Sequence, residues 1–152
     1  MRNNKPYITL IFLLLLVAGC AADKKGGGAS DADNAVSPDE SFALAAADSA
    51  RFVDEDSSFL VRVNGIQDNR CPKDVNCITG GKALVTVTIE GSAAVVNLCT
   101  GADCFGEAEN SFLLRLNNKR YNIVLEEVLP YPGDEQESRP KQAILKIKRA
   151  TG

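Results

Sequence analysis

Between Phe42 and Ile147 the apolar residues of this chain return at every second position, and no stretch carries a convincing helical stripe. A period of two sends successive side chains to opposite faces of a strand, so each run implies one buried and one wet face. Phe42, Leu44 and Ala46 alternate in this way, as do Phe59, Val61 and Val63. Val85, Val87 and Ile89 follow, then Ala94, Val96 and Leu98, then Phe112, Leu114 and Leu116. The last two runs are Tyr121, Ile123, Leu125 and Ala143, Leu145, Ile147, with Lys146 and Lys148 pointing outward. Turn-forming pairs separate the runs at Asn64-Gly65, Gly80-Gly81, Glu90-Gly91, Asn117-Asn118 and Pro132-Gly133. Glu90-Gly91-Ser92 and Asn117-Asn118-Lys119 lie between close runs and predict hairpins. Glu126 and Glu127 interrupt the alternation as a bulge or an exposed strand end would. About seven short strands over about 110 residues predict one all-β domain from 41 to 152. An antiparallel β-sandwich is the expected architecture, with a small β-barrel as the alternative.

The first forty residues follow other rules. Arg2 and Lys5 precede an apolar run from Tyr7 to Val17. That run falls short of the roughly 20 residues a bilayer-spanning helix needs, so residues 1–19 read as an export signal peptide. Val17-Ala18-Gly19-Cys20 resembles the lipobox of bacterial lipoproteins. The resemblance implies a diacylglyceryl group on the Cys20 thiol, cleavage before that residue and, usually, acylation of the freed amine. At about 0.8 kcal/mol per buried CH₂, two or more chains anchor stably where one is marginal. Ala21 in place of Asp implies, by the same resemblance, sorting to the outer membrane of a cell that has one. In a single-membrane cell the protein would stay on the outer face of the cytoplasmic membrane. From Ala21 to Glu40 the residues are mostly small or charged, with three consecutive glycines and one isolated valine. Such a stretch buries too little apolar surface to offset its ordering entropy. Residues 20–40 therefore read as a lipidated flexible tether spanning about 25 Å.

Charge narrows the function classes. The chain holds 17 basic and 20 acidic residues; the signal takes Arg2 and Lys5 with it, leaving 15 against 20 and a net charge of −5. A mildly acidic domain lacks the broad basic footprint of a nucleic-acid binder. Lys141, Lys146, Lys148 and Arg149 read as the wet face of a terminal strand. DADN and DEDSS lack the spacing of a calcium loop, and no glycine-rich stretch sits between strand and helix to cradle phosphate. No metal and no cofactor is expected.

Export places Cys71, Cys77, Cys99 and Cys104 where disulfides persist. Neither pair has the C-x-x-C spacing of a dithiol oxidoreductase, and the spacings are looser than those of zinc knuckles. Four cysteines allow three pairings. In the chain-entropy model a loop of about six residues is worth about 2 kcal/mol and one of about 30 residues about 3.5, which favours crossed pairing. Local geometry argues the other way: Pro72 and the turn-prone CTGADC segment fold each short stretch back on itself. The expectation is Cys71 with Cys77 and Cys99 with Cys104, each bracing a loop at the rim of the sandwich.

CPKDVNCITGGKALVTV, then VNLCTGADC, then YNIVLEEVLPYP resemble segments of a group of small bacterial lipoproteins and exported proteins. Its signature is C-P-x-x-V-x-C-x-x-x-G with a late Y-x-I-x-L-x-x-V-x-P-x-P strand, and the similarity runs from about Phe59 to Lys148. Members often carry Trp between the second cysteine and the glycine, where this chain has Ile78-Thr79-Gly80-Gly81. The resemblance implies an exported, all-β, cysteine-stapled domain, and no particular reaction.

The absence of histidine excludes Ser-His-Asp, Cys-His and histidine-metal chemistry together. Asp68, Asp74, Asp103 and Glu107 share the loops of the cysteines, so a small carbohydrate- or peptide-directed hydrolase using carboxylates is one alternative. A secreted-type hydrolase inhibitor is another. The first expectation is no enzyme but a membrane-anchored binding module, held by its lipid and facing an envelope protein or polysaccharide. Its surfaces would be the cysteine-braced loops and LPYPGDEQESRP, where Tyr131 between two prolines is the candidate partner contact.

Overall fold

A computed structural model describes residues 35–55, 57–106 and 108–150. The expected signal peptide, Cys20 and most of the expected tether lie outside the described residues. Among those described there are nine strands and no helix. They are β1 (Ala35–Val36), β2 (Ser41–Ala45), β3 (Ser49–Asp54), β4 (Ser57–Asp68), β5 (Lys82–Ile89), β6 (Ala94–Gly101), β7 (Ser111–Leu116), β8 (Lys119–Leu129) and β9 (Gln142–Arg149). One sheet runs β1-β3-β4-β5-β6 and the other β2-β9-β8-β7. Every pair is antiparallel except β1 with β3. The domain is a β-sandwich, as the alternation predicts.

The alternating residues make the core. Val85, Val87 and Ile89 of one sheet face Ile123, Leu125, Leu145 and Ile147 of the other, all at most 1 % exposed. Burying such a side chain is worth about 1.5–3 kcal/mol. Phe52, Phe59 and Tyr121 form an aromatic trio with centroids 4.8, 5.3 and 5.4 Å apart. Asn117 and Asn118, at φ 50° and 59°, make the β7–β8 turn in the left-handed conformation that hairpins favour and that Asn tolerates best after Gly.

Three expectations change. Asn64-Gly65 is no turn: β4 runs through it, and the register shifts there between Val63 and Gly65. A bulge uses the same glycine freedom as a turn while keeping the strand continuous. The predicted interruption after Leu125 is also a register shift, between Leu125 and Glu127. Second, β1 and β3 add to the seven strands predicted. Third, the fold reaches back into the stretch read as tether. The isolated Val36 is 7 % exposed and belongs to the core, and the Asp39 amide donates to the Ile147 carbonyl at 2.9 Å. All core side chains come from Val36 to Ile147, so the chain from Ala35 onward contains the complete described fold.

Candidate functional site

Three long connections meet at one end of the sandwich: 69–81 after β4, 102–110 after β6 and 130–141 after β8. Cysteines fold the first two back on themselves. Cys71 bonds to Cys77 and Cys99 to Cys104, with Cα–Cα distances of 6.0 and 5.8 Å. The short-range pairing expected from Pro72 and CTGADC is the one formed. Two disulfides in one small domain fit an oxidising, exported environment.

Beneath the loops lies a polar network that the sequence did not announce. Asp68 and Arg70 are 2 % and 3 % exposed at their side chains. The guanidinium donates Nε to Asp68 Oδ1 and Nη2 to Oδ2, both at 2.8 Å, and Nη2 also donates to the Val128 carbonyl at 2.6 Å. Lys141 Nζ approaches Asp68 Oδ2 to 3.1 Å and donates to the Pro130 carbonyl at 2.6 Å, after a cis Leu129–Pro130 bond. Burial alone pushes the Asp68 carboxyl up, but the hydrogen bonds from Arg70 and Lys141 outweigh it and hold it below the usual carboxylate range. Arg70 is stacked as well: its guanidinium carbon lies 4.2 Å from the Tyr131 ring centroid. Lys73 sits 5.7 Å from the same centroid and pairs with Asp134. The network thereby ties the first loop to the third.

Backbone contacts lock the rest. Gly81, at φ 72°, passes so close to the first loop that an added Cβ would lie 2.0 Å from the Asn69 carbonyl oxygen. Its amide donates to Asp103 Oδ2 at 2.7 Å, and the Asp103 amide donates to the Gly81 carbonyl at 3.2 Å. The Cys71 amide donates to the Gly80 carbonyl at 2.8 Å, and the Lys73 amide to the Pro132 carbonyl at 3.0 Å. These ties hold large apolar side chains in water. Ile78 is fully exposed, Phe105 is 78 % exposed and Val75 55 %, all on the two disulfide loops. The loops touch, since a Cβ on Gly80 would fall 2.4 Å from that of Ala102. Phe105 also borders a small cleft of about 140 Å³ with Lys82, Leu84 and Asn97. Along the third loop runs an open groove of about 590 Å³ lined by Leu129, Pro130, Asp134, Arg139 and Pro140.

Of the carboxylates named from sequence, Asp68 is held by Arg70 and Lys141 and Asp103 caps Gly81. Asp74 is exposed at φ 63°, and Glu107 is outside the described residues. Tyr131 is half-buried and braces Arg70. The four basic residues read as one wet face divide. Lys141 joins the rim, Lys146 pairs with Glu126 at 2.9 Å, and Lys148 points outward. Arg149 turns to the opposite end, where Asp54, 2 % exposed, accepts from its Nε at 2.9 Å and from the Tyr121 hydroxyl at 3.0 Å. Hydrogen bonding from Arg149 is the largest influence on Asp54 and, with the Tyr121 bond, holds its carboxyl below the usual range despite burial.

No family model matches the chain, and no curated protein or solved structure is similar to it at a significant level.

Proposed function

We propose that this chain is a lipid-anchored exported lipoprotein whose sandwich presents its disulfide-braced rim to a protein partner in the cell envelope. The exposed trio Val75, Ile78 and Phe105 carries the proposal. Large apolar side chains left in water on tightly held loops forgo burial energy, and such patches mark interaction sites. Here two disulfides, a buried ion pair and close backbone contacts fix the loops before any partner arrives. Preorganisation of that kind lowers the entropy lost on docking. Aromatic and aliphatic anchors at the centre of an interface dominate binding energy, which suits Phe105 and Ile78 as the contact residues. Tyr131 supports the platform from beneath and lends affinity through Arg70.

A photoreactive residue at Ile78, introduced into the anchored protein on intact cells, should give one recurrent crosslinked neighbour. The crosslink should disappear when Phe105→Ser is added. Crosslinks spread over many abundant proteins, unaffected by Phe105→Ser, would refute docking through the rim. Incorporation of labelled fatty acid, abolished by Cys20→Ser, tests the anchor separately.

A further inference from the structure

The outward face of the β2-β9-β8-β7 sheet carries a charge opposite to that of the whole chain. Alternation sends Leu114, Tyr121, Ile123 and Ile147 into the core and leaves Arg115, Arg120 and Lys148 outside. Lys146, Glu126 and Glu127 share that face; Glu126 pairs with Lys146, and Glu127, opposite Ile144, lies toward the rim end, leaving the face net positive by two. None of Arg115, Arg120 and Lys148 pairs with a described carboxylate. Register sets Arg115 directly opposite Arg120, and Lys148, opposite Asn122, lies diagonally from Arg120. Direct cross-strand neighbours stand about 5 Å apart at Cβ and diagonal ones about 7–8 Å, and like charges at that spacing repel.

Lys119 of the adjoining hairpin turns away from this face, on the side of Tyr121. Lys119 Nζ is enclosed and makes no hydrogen bond; Glu55, its ionic partner, stays 3.8 Å away. Arg115 and Arg120 line an open depression of about 540 Å³; a neighbouring one of about 350 Å³ also holds Glu55, which pairs with Arg149. Two facing arginines with no carboxylate partner, beside an open depression, are suited to oxygens on an anionic group.

We infer that this face docks on the phosphate headgroups of an anionic bilayer and so fixes the attitude of the domain on its membrane. The choice of a lipid surface rests on the anchored reading given above, and on the path of the chain. The described chain begins at Ala35, four residues before Asp39 bonds to Ile147 beside Lys148. Four residues span at most about 14 Å, so a leash to lipid leaves the fold close to the cationic face. Each cation near such a surface strengthens attachment about fivefold, and three together about a hundredfold. At physiological salt that is too little to hold an untethered protein firmly. It suffices for one whose leash keeps the local concentration in the millimolar range. At low ionic strength the unscreened attraction is strong enough to be read directly.

The test uses residues 21–152, which contain the complete described fold and lack the lipidated cysteine. They should sediment with phosphatidylglycerol vesicles at low salt and not with phosphatidylcholine vesicles. Partitioning should fall about a hundredfold in Arg115→Gln/Arg120→Gln/Lys148→Gln. It should also fall steeply above 0.1 M salt, where screening acts within about 10 Å. The three positions are on the wet face, so the melting temperature of the variant should match that of the parent. Ile78→Ser/Phe105→Ser should keep full vesicle binding, which separates this face from the rim. Equal binding to both vesicle types, or vesicle binding unaffected by the triple substitution, would overturn the inference. So would binding to a soluble polyanion such as heparin without binding to vesicles.

Discussion

Arg70 governs the rim because it is buried with its partner rather than displayed. Removing one side of a buried ion pair leaves the other charge stranded, at a cost of about 3–5 kcal/mol. Arg70→Ala should therefore lower unfolding free energy by about 3 kcal/mol in urea titrations, since Lys141 still reaches Asp68. Arg70→Met combined with Asp68→Leu should cost less than Arg70→Ala alone, because the one charge then left unpaired, Lys141, is partly exposed and keeps its bond to the Pro130 carbonyl. A double variant less stable than the single one would contradict this account of the network. The residues of this network were hard to see in the chain. Asp68 and Arg70 are two apart at a strand end, a spacing common among solvated loop charges, and their partner carbonyl at Val128 is remote in sequence. Only the meeting of β4 with the end of β8 makes them neighbours. Ile78 and Phe105 were equally silent, since an apolar residue in a loop does not reveal whether it turns inward. The cysteines were legible because oxidation and short spacing are local properties.

Among the elements, legibility followed the period-two pattern. Seven strands have apolar inward residues and were read directly. β3 escaped because one of its inward positions is Asp54, buried through Arg149 and Tyr121 instead of through apolar character. β1 escaped because two residues are too few to show a period, although its Val36 is a core residue. The first loop owes its path to Gly81. A side chain there must adopt a left-handed backbone, costing about 1–2 kcal/mol, and must also displace the Asn69 carbonyl. Gly81→Ala should therefore lower stability by at least about 2 kcal/mol in chemical denaturation and loosen both disulfide loops. Amide exchange at Cys71 and Asp103, whose hydrogen bonds go to Gly80 and Gly81, should quicken most. Unchanged exchange at both would show that the loops do not depend on this close approach.

At the scale of the whole molecule the two ends of the sandwich each carry a buried carboxylate whose pKa folding lowers, Asp68 at the rim and Asp54 opposite. A carboxyl depressed in the native state stabilises the fold above its unfolded pKa of about 3.9, and that contribution fades as pH falls through the lowered native value. The melting temperature should hold steady above about pH 5 and fall progressively below about pH 4. The decline should be shallower in Asp54→Asn/Asp68→Asn, from a lower starting stability. An equally steep acid limb in that variant would locate the sensitivity elsewhere.

The parallel pairing of β1 with β3 spans only Ala35↔Arg51 and Val36↔Phe52. A pull applied through the residues preceding Ala35 would reach this shortest ladder before any other. Peeling it would withdraw a single core valine and pay out about six residues, some 20 Å of slack, while the remaining eight strands stayed paired. Such a ladder can act as a mechanical fuse, sparing the rest of the fold when the chain is pulled from its N-terminal side.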